Sequence, residues 1–443
     1  MRISLIGTLV RGVTGRGKPR ALLFAACAVG APLSATAADR WRLPPEVRTL
    51  AQLGGNREAL MRLETEIRRC ETARATRQVA GDACLDLLVT GATLAQRIGG
   101  RRAAEGFARR AAAAADAALP EAHADRALAH RLFGSVLAPD AAALAEYRIA
   151  LNIYVAAGAA AQDNVRGDML RLLDAKARYR EGERLRRELL DRSIAAKGPD
   201  HPDVAADLTN LAINLSAQGR EAEAHPLLVR ALAIYEKALP PAHPYIALLL
   251  TNVGASLIAL DRAAEALPVL QRALTLREAN LPAGHMDIAV AMGAVANALV
   301  KLDRLAEAEA LHRRALDLRR AAGSGGAATV ANAVLNLANV LRLQARYADA
   351  EPLYREARDL YARALLPGHP LRLNADWSLA AVLLDGRVKL AESRSLFRRA
   401  ALDARARLAT YPDFGAGAVR ELGTWRNVFV GEVRAAWALG GAR

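Results

Sequence analysis

Histidine is the residue type whose spacing in this chain most invites a chemical reading. His201, His243, His285 and His369 fall on multiples of a 42-residue step, and Glu223, Glu265 and Glu307 recur with the same step. Imidazole binds metals and moves protons, and carboxylates work as acid–base partners. Geometry argues against pooling these groups. Equivalent positions on stacked helices lie at least ~8–10 Å apart, whereas zinc draws its nitrogens to ~2 Å from one point. The histidines therefore read as junction residues packed between repeating units. The glutamates read as solvated or turn-supporting positions. No G-x-x-x-x-G-K-[ST], H-E-x-x-H or G-x-S-x-G run occurs, so no phosphate loop, zincin helix or nucleophile elbow is in sight. The chain is expected to be no enzyme and to need no metal or cofactor.

Asparagine gives a different signal. Asn210, Asn252 and Asn336 share one register of the repeat, filled by Ala294 and Ser378 in the other copies. Asparagine is a mediocre helix former, so its return inside helical segments needs a reason beyond propensity. Its amide offers both a donor and an acceptor, which suits the backbone of an extended peptide. Support of neighbouring helices is the competing reading.

The elements that position these residues are visible as five copies, starting at His201, His243, His285, Ala327 and His369 and ending near Thr410. A fixed period of this size signals stacked helix pairs. Leu208, Leu211, Ala212 and Leu215 lie on one face of a first helix. The chain breaks at Gln218-Gly219-Arg220, and Ala224, Leu227, Leu228, Ala231 and Leu232 form the face of a second. Small residues recur in place: Ala212, Gly254, Ala296, Ala338 and Ala380 in the first helix, then Ala231, Ala273, Ala315, Ala357 and Ala400 in the second. Bulk fills the seam at Leu228, Leu270, His312, Tyr354 and Phe397.

The segments L-T-N-L-A-I-N-L (Leu208 to Leu215) and R-E-A-E-A-H-P-L-L-V-R-A-L-A-I-Y-E-K-A-L (Arg220 to Leu239) resemble tetratricopeptide repeats (TPRs). The 42-residue step and the H-P-D at His201 resemble the kinesin-light-chain type. The resemblance implies an all-α fold, an α-α superhelix (TPR solenoid) of right hand. It implies binding of a protein or extended peptide in a concave groove lined by the first helices. Carried over by register, the partner-binding set is Asn210, Asn252, Asn297, Asn336 and Asn339, with Lys301 and Arg342 one turn further on. No nucleic-acid partner is expected.

Taken in order, residues 1–37 read as a signal peptide. A long basic stretch precedes the apolar run Ala21 to Val29, and Ala35-Thr36-Ala37 is an A-x-A cleavage site. That run is too short to span a bilayer, and no later stretch approaches the ~20 apolar residues a span needs. Cys27 in Phe24-Ala25-Ala26-Cys27 raises a lipoprotein alternative to a soluble periplasmic or secreted protein. Residues 38–120 read as degenerate helical repeats, with Gly54-Gly55 and Gly99-Gly100 as hinges. Residues 121–200 read as weaker repeats, 201–410 as the five clear ones and 411–443 as a capping helix. Thr424 to Leu439 places Trp425, Phe429, Val433 and Trp437 near one face, leaving the other side wet. About nine helix pairs are expected in all. Arg387-Val388-Lys389 carries one extra residue in the turn of the fifth copy, and Gly323-Ser324-Gly325-Gly326 makes a longer corner before the fourth.

The chain holds 61 Lys and Arg against 46 Asp and Glu, a net charge of +15. The first 38 residues carry five of the basic side chains and no acid, so +10 remains after them. A basic surface offers an alternative function, as a cell-envelope assembly factor that meets anionic lipid or other anionic envelope components. Cys70 and Cys84 are the cysteines left beyond the leader. In an oxidising compartment a bridge between them would clamp one helical corner; two buried thiols are the alternative. Export predicts a mature N-terminus near Ala38, which N-terminal sequencing of protein recovered from cells checks directly. An intact Met1 on a cytoplasmic protein would contradict it.

Overall fold

The computed structural model describes residues 44–52, 54–76, 83–137, 140–159, 161–176, 178–322, 326–409 and 416–441. The leader with Cys27, the corner at Gly323-Ser324-Gly325 and the break around Pro412 lie outside them. The regular structure of the described residues is helical throughout, in nineteen helices. Consecutive helices pack on one another as pairs along most of the chain, and the nineteenth stands after them, so the described regular structure is all-α and built of helix pairs. The chain divides into two compact units, split between Leu185 and Arg186.

The first unit contains α1 (Pro45–Gln52), α2 (Asn56–Ala75), α3 (Leu85–Arg97), α4 (Arg101–Ala118), α5 (Ala124–Val136), α6 (Asp140–Ala156) and α7 (Gln162–Ala175). The dividing line falls inside α8 (Tyr179–Lys197). Its core runs from Val47 and Leu63 through Leu87, Leu88 and Phe107 to Ala115, with a second cluster around Leu144, Tyr154 and Met169. Cys70 and Cys84 are joined as a disulfide, with Cα atoms 5.8 Å apart, at the corner between α2 and α3. Closing a loop of that size is worth roughly 3 kcal/mol.

The second unit contains α9 (Pro202–Ala217) with α10 (Glu221–Ala238), α11 (Pro244–Ala259) with α12 (Ala263–Asn280), and α13 (Met286–Lys301) with α14 (Leu305–Ala322). They are followed by α15 (Gly326–Leu343) with α16 (Tyr347–Ala364), α17 (Pro370–Asp385) with α18 (Leu390–Leu408), and finally α19 (Ala416–Gly441). Each first helix packs on its own second helix, and each second helix packs on the next first helix. First helices also touch directly, α11 on α13 and α17 on α19, so they form the tighter layer. The small positions Ala212, Ala296, Ala338 and Ala380 are fully buried, as are Tyr354 and Phe397 in the bulky seam. The expectation that Trp425, Phe429, Val433 and Trp437 share one face of α19 is corrected here: Trp425 is 4% exposed, whereas Val433 is 65% and Trp437 84% exposed. Steps of four residues drift by about 40° each on a helix, so three of them swing Trp437 about 120° away from Trp425.

Local chemistry sets the boundaries. His201, His243, His285 and His369 are the N-caps of α9, α11, α13 and α17. In each, Nδ1 accepts the backbone N–H two residues on, at 3.1–3.2 Å. His123 does the same at α5. One of the four orphan amides at a helix start is thereby satisfied. Proline follows at the first helical position of α9, α11 and α17, where its missing N–H costs nothing. The histidines are therefore caps as well as junction residues.

The turn inside each pair repeats with equal fidelity. Gly219, Asp261, Asp303, Ala345 and Arg387 stand one period apart and all have φ between 52° and 76°. Only the first copy uses glycine, which visits this region without penalty. The inserted residue of the fifth copy is absorbed by a second left-handed residue, Lys389 at φ 47°. Just after the turn, Arg220, Arg262 and Arg304 donate through two nitrogens to Glu223, Glu265 and Glu307 at 2.6–2.7 Å, and Arg346 pairs with Asp349. The recurring glutamates thus support the turn, sitting in the first turn of a helix where negative charge is favoured. Ala345→Gly should relieve the left-handed strain and stabilise the second unit by about 0.5–1 kcal/mol. A raised unfolding midpoint in denaturant would show it.

Candidate functional site

The first helices bring the asparagine register into one layer, and the structure then divides the seven expected groove residues in two. Asn210 is exposed, and Asn252, Asn297 and Asn336 are half-buried. Among the described residues these four amides make no hydrogen bond to another protein group. They lie on α9, α11, α13 and α15, one from each successive pair. The remaining three are engaged. Asn339 accepts a hydrogen bond from the Tyr354 hydroxyl at 2.7 Å, within its own pair. Arg342 donates to Asp385 at the end of α17 at 2.6 Å. Lys301 reaches back to Asp261 in the turn of the preceding pair at 3.1 Å. Asn332, not singled out by register, accepts from Tyr361 at 2.6 Å. Asn332 and Asn339 therefore hold a pair together, while Lys301 and Arg342 tie one pair to the next. A clue lay in the sequence: both ionic partners sit close to one period away, at separations of 40 and 43 residues.

Titratable groups also stand where the repeat otherwise has core. Leu208, Leu250, Met292 and Val334 are equivalent and buried. One period further on the same register holds Asp376, within 2.9 Å of Arg399 and 3.5 Å of Arg358. Burial pushes its carboxyl up, opposed by those two guanidiniums. One period before Leu208 stands buried Arg166, which donates to Gln162 and Asp163. His130, seven residues after its cap as Leu208 is after His201, is buried between two carboxylates. Its Nδ1 lies 2.7 Å from Glu146 and its Nε2 2.9 Å from Asp116. Burial alone would raise the Asp116 carboxyl, but bonds from His130 and Arg126 outweigh it and hold it low. With both ring nitrogens occupied and the ring shut away from solvent, His130 ties α4, α5 and α6 together rather than meeting a substrate.

The described residues contain no cluster of three or more His, Cys, Asp or Glu able to hold a metal, and no described helix is long and apolar enough to cross a membrane. A cavity of about 520 Å³ lies among α12, α13 and α14, with Ile288, Met292 and Leu318 in its wall and Glu278 and Arg314 at 4.0 Å beside it. It gathers no nucleophile beside a base.

Stacked helix pairs with free polar side chains along one layer define a repeat scaffold. The family profile of the tetratricopeptide repeat matches residues 172–237, 245–321 and 329–401, so these stretches are tetratricopeptide repeats. Such arrays are binding scaffolds. No curated protein matched the whole-chain search. Among solved structures, the nearly identical TPR-like repeats of a putative kinesin light chain from Podosopora anserina share 20% identity, covering 48% of this chain and 99% of that one at a TM-score of 0.41. A Rap protein complexed with competence and sporulation factor shares 13% identity over 81% of this chain and 99% of its own, at 0.43. NprR in complex with its cognate peptide NprX shares 16% over 60% and 72%, also at 0.43. Scores this low carry no argument about the site.

One buried group makes the fold sensitive to acid. His312 sits in the seam of α14, and burial, helped by nearby Arg319, pushes its imidazole down to about 4 from an ordinary 6.5. Between those values the unfolded chain binds a proton that the folded chain refuses. Stability from this group is therefore complete above pH 6.5 and lost as pH falls towards 4. The full loss is on the order of 3 kcal/mol. His312→Leu, matching Leu228 and Leu270, should remove this slope in denaturant melts run at about pH 5 and pH 7. An unchanged slope would mean that other groups carry the acid sensitivity.

Proposed function

We propose that the chain is an exported scaffold that binds a protein or an extended peptide along its first helices and performs no chemistry of its own. One observation carries this reading: Asn210, Asn252, Asn297 and Asn336 recur through four successive pairs with their amides uncommitted. An extended backbone presents donors and acceptors at regular intervals, and an asparagine amide answers both. Asn339, Lys301 and Arg342 belong to this reading as neighbours that fix the ladder, since each already has a partner inside the fold. The proposed compartment is the periplasm or the medium, reached through the leader at residues 1–37.

The test begins with capture of the partner by crosslinking in cells and its identification. Titration of the purified partner against Asn252→Ala combined with Asn336→Ala should then show binding weakened by about 1–3 kcal/mol for each buried hydrogen bond lost. Stability should move by about half a kcal/mol or less. Wild-type affinity in the double variant would place the partner elsewhere, and a collapse of stability would make the two asparagines structural. Arg342→Ala is expected to act differently: breaking its pair with Asp385 should lower the melting midpoint, with any loss of binding following from that. Salt separates this reading from attachment to an anionic surface, which should fail at high ionic strength.

A further inference from the structure

One junction of the second unit is polar where its repeats are apolar. α10 packs on α9 and on α11, and the three meet near the turn inside the pair. There Ser216, Glu221 and His225 stand where the next pair has Ile258, Ala263 and Leu267. Asn214 and Ser256 hold one register in successive first helices, which Ala298 and Val340 hold in the following two. Four polar atoms at this junction are sealed from solvent and have no hydrogen-bond partner among the described residues: Asn214 Nδ2, Glu221 Oε1, His225 Nδ1 and Ser256 Oγ. Asn214 is 2% and Ser256 1% exposed.

The partners at hand do not make up the deficit. Gln218 donates to Asn214 Oδ1 at 2.9 Å, which leaves the amide nitrogen unmatched. Burial raises the Glu221 carboxyl, opposed by Ser216 and Ser256 beside it, yet the Ser256 hydroxyl is not aligned on any acceptor. His225 follows Glu221 by one turn on the same face of α10. Burial, helped by Arg262, pushes its imidazole down against the pull of Glu265. Acid and base are thus both moved towards their neutral forms. Two periods beyond His225 the same register holds Glu309, which takes bonds from Arg313, Gln344 and Arg346. A polar group at that register can therefore be matched within the stack, and at the first junction it is not. A sealed polar atom without a partner forfeits the hydrogen bonds that water would give it. Opening the first junction restores them, whereas opening the next one exposes Ile258, Ala263 and Leu267 to water for no such return.

We propose that the junction between the α9–α10 pair and α11 is the joint of the second unit, opening locally to water while the junction after it stays closed. It lies between Asn210 and the other three free amides of the inner layer, so opening changes the spacing of the first from the rest. That bearing on binding rests on the function proposed above; the joint itself is read out on the chain alone. Native-state thiol labelling compares the two junctions directly. Ser256→Cys places a thiol in the joint, and Ala298→Cys places one at the same register of the next junction, where Ala298 is fully buried. Both are made in a Cys27→Ser background, since Cys70 and Cys84 are bridged. The thiol at 256 should react about tenfold or more faster than the thiol at 298. Adding Glu221→Ala and His225→Leu, the residues of the following pair, should slow labelling at 256 to near the rate at 298 and raise the unfolding midpoint in denaturant. Equal rates at 256 and 298 overturn the proposal, and so does a rate at 256 that a folded chain carrying both added changes leaves untouched. If those two changes prevent folding, the comparison of the two cysteine chains decides alone. Neither measurement involves a partner, so a joint that fails leaves the binding reading standing, and a failed binding titration leaves the joint standing.

Discussion

The close approach of the two helices in each pair governs much of what else the structure does. A small side chain on the first helix, Ala212, Gly254, Ala296, Ala338 or Ala380, lets a bulky one on the second fill the seam. Where the small residue is Gly254, Leu270 has moved in so far that a Cβ would collide with it. The identity of the bulky residue then dictates chemistry nearby. Leucine at 228 and 270 asks for nothing further. Tyrosine at 354 brings a hydroxyl into the core, and a buried hydroxyl without a partner is costly, so Asn339 is there to accept it. Histidine at 312 is held in its neutral form by burial. Phenylalanine at 397 demands space from the other side as well, and Gly431 on α19 yields it.

This logic explains why one residue type plays two parts. Asparagine at 332 and 339 serves tyrosines at 361 and 354, whereas in the α9 and α11 pairs leucine occupies the seam and asparagines at 210 and 252 are left with free amides. An inner asparagine is thus structural where the seam carries a phenol, and available to a partner where the seam is aliphatic. Asn336 belongs to the second group although it shares α15 with Asn332 and Asn339. The two tyrosine hydroxyls are already taken by Asn339 and Asn332.

The period alone made the helix pairs, their count and the seam residues legible, because a repeated pattern states the same packing five times over. It also located the junction histidines, the break between the two helices of a pair and the extra residue within Arg387-Val388-Lys389. Their work was harder to see. Histidine is outside the usual set of capping residues, so an Nδ1 accepting an amide is not suggested by composition. Arg342 and Lys301 stand one turn beyond the asparagines, and their long side chains reach partners that only the stacking of neighbouring pairs brings near. His130, Arg166 and Asp376 each lie at a register that is apolar elsewhere, and for His130 and Arg166 the weaker repeats hide the correspondence.

The same comparison of registers shows where the stack changes character. Between Leu208 and Val334 the shared core register is apolar, and the pairs cohere by burial there, with ionic links such as Lys301 to Asp261 confined to the surface. At Asp376 the register turns ionic, meeting Arg358 from one side and Arg399 from the other. A charge that is removed from water needs well-placed partners to be tolerated at all, so it fixes α16, α17 and α18 in one arrangement more strictly than a leucine would. That stricter end is the one that carries α19. The apolar middle of the stack is thus held mainly by burial, and its C-terminal end by burial together with a buried ionic contact.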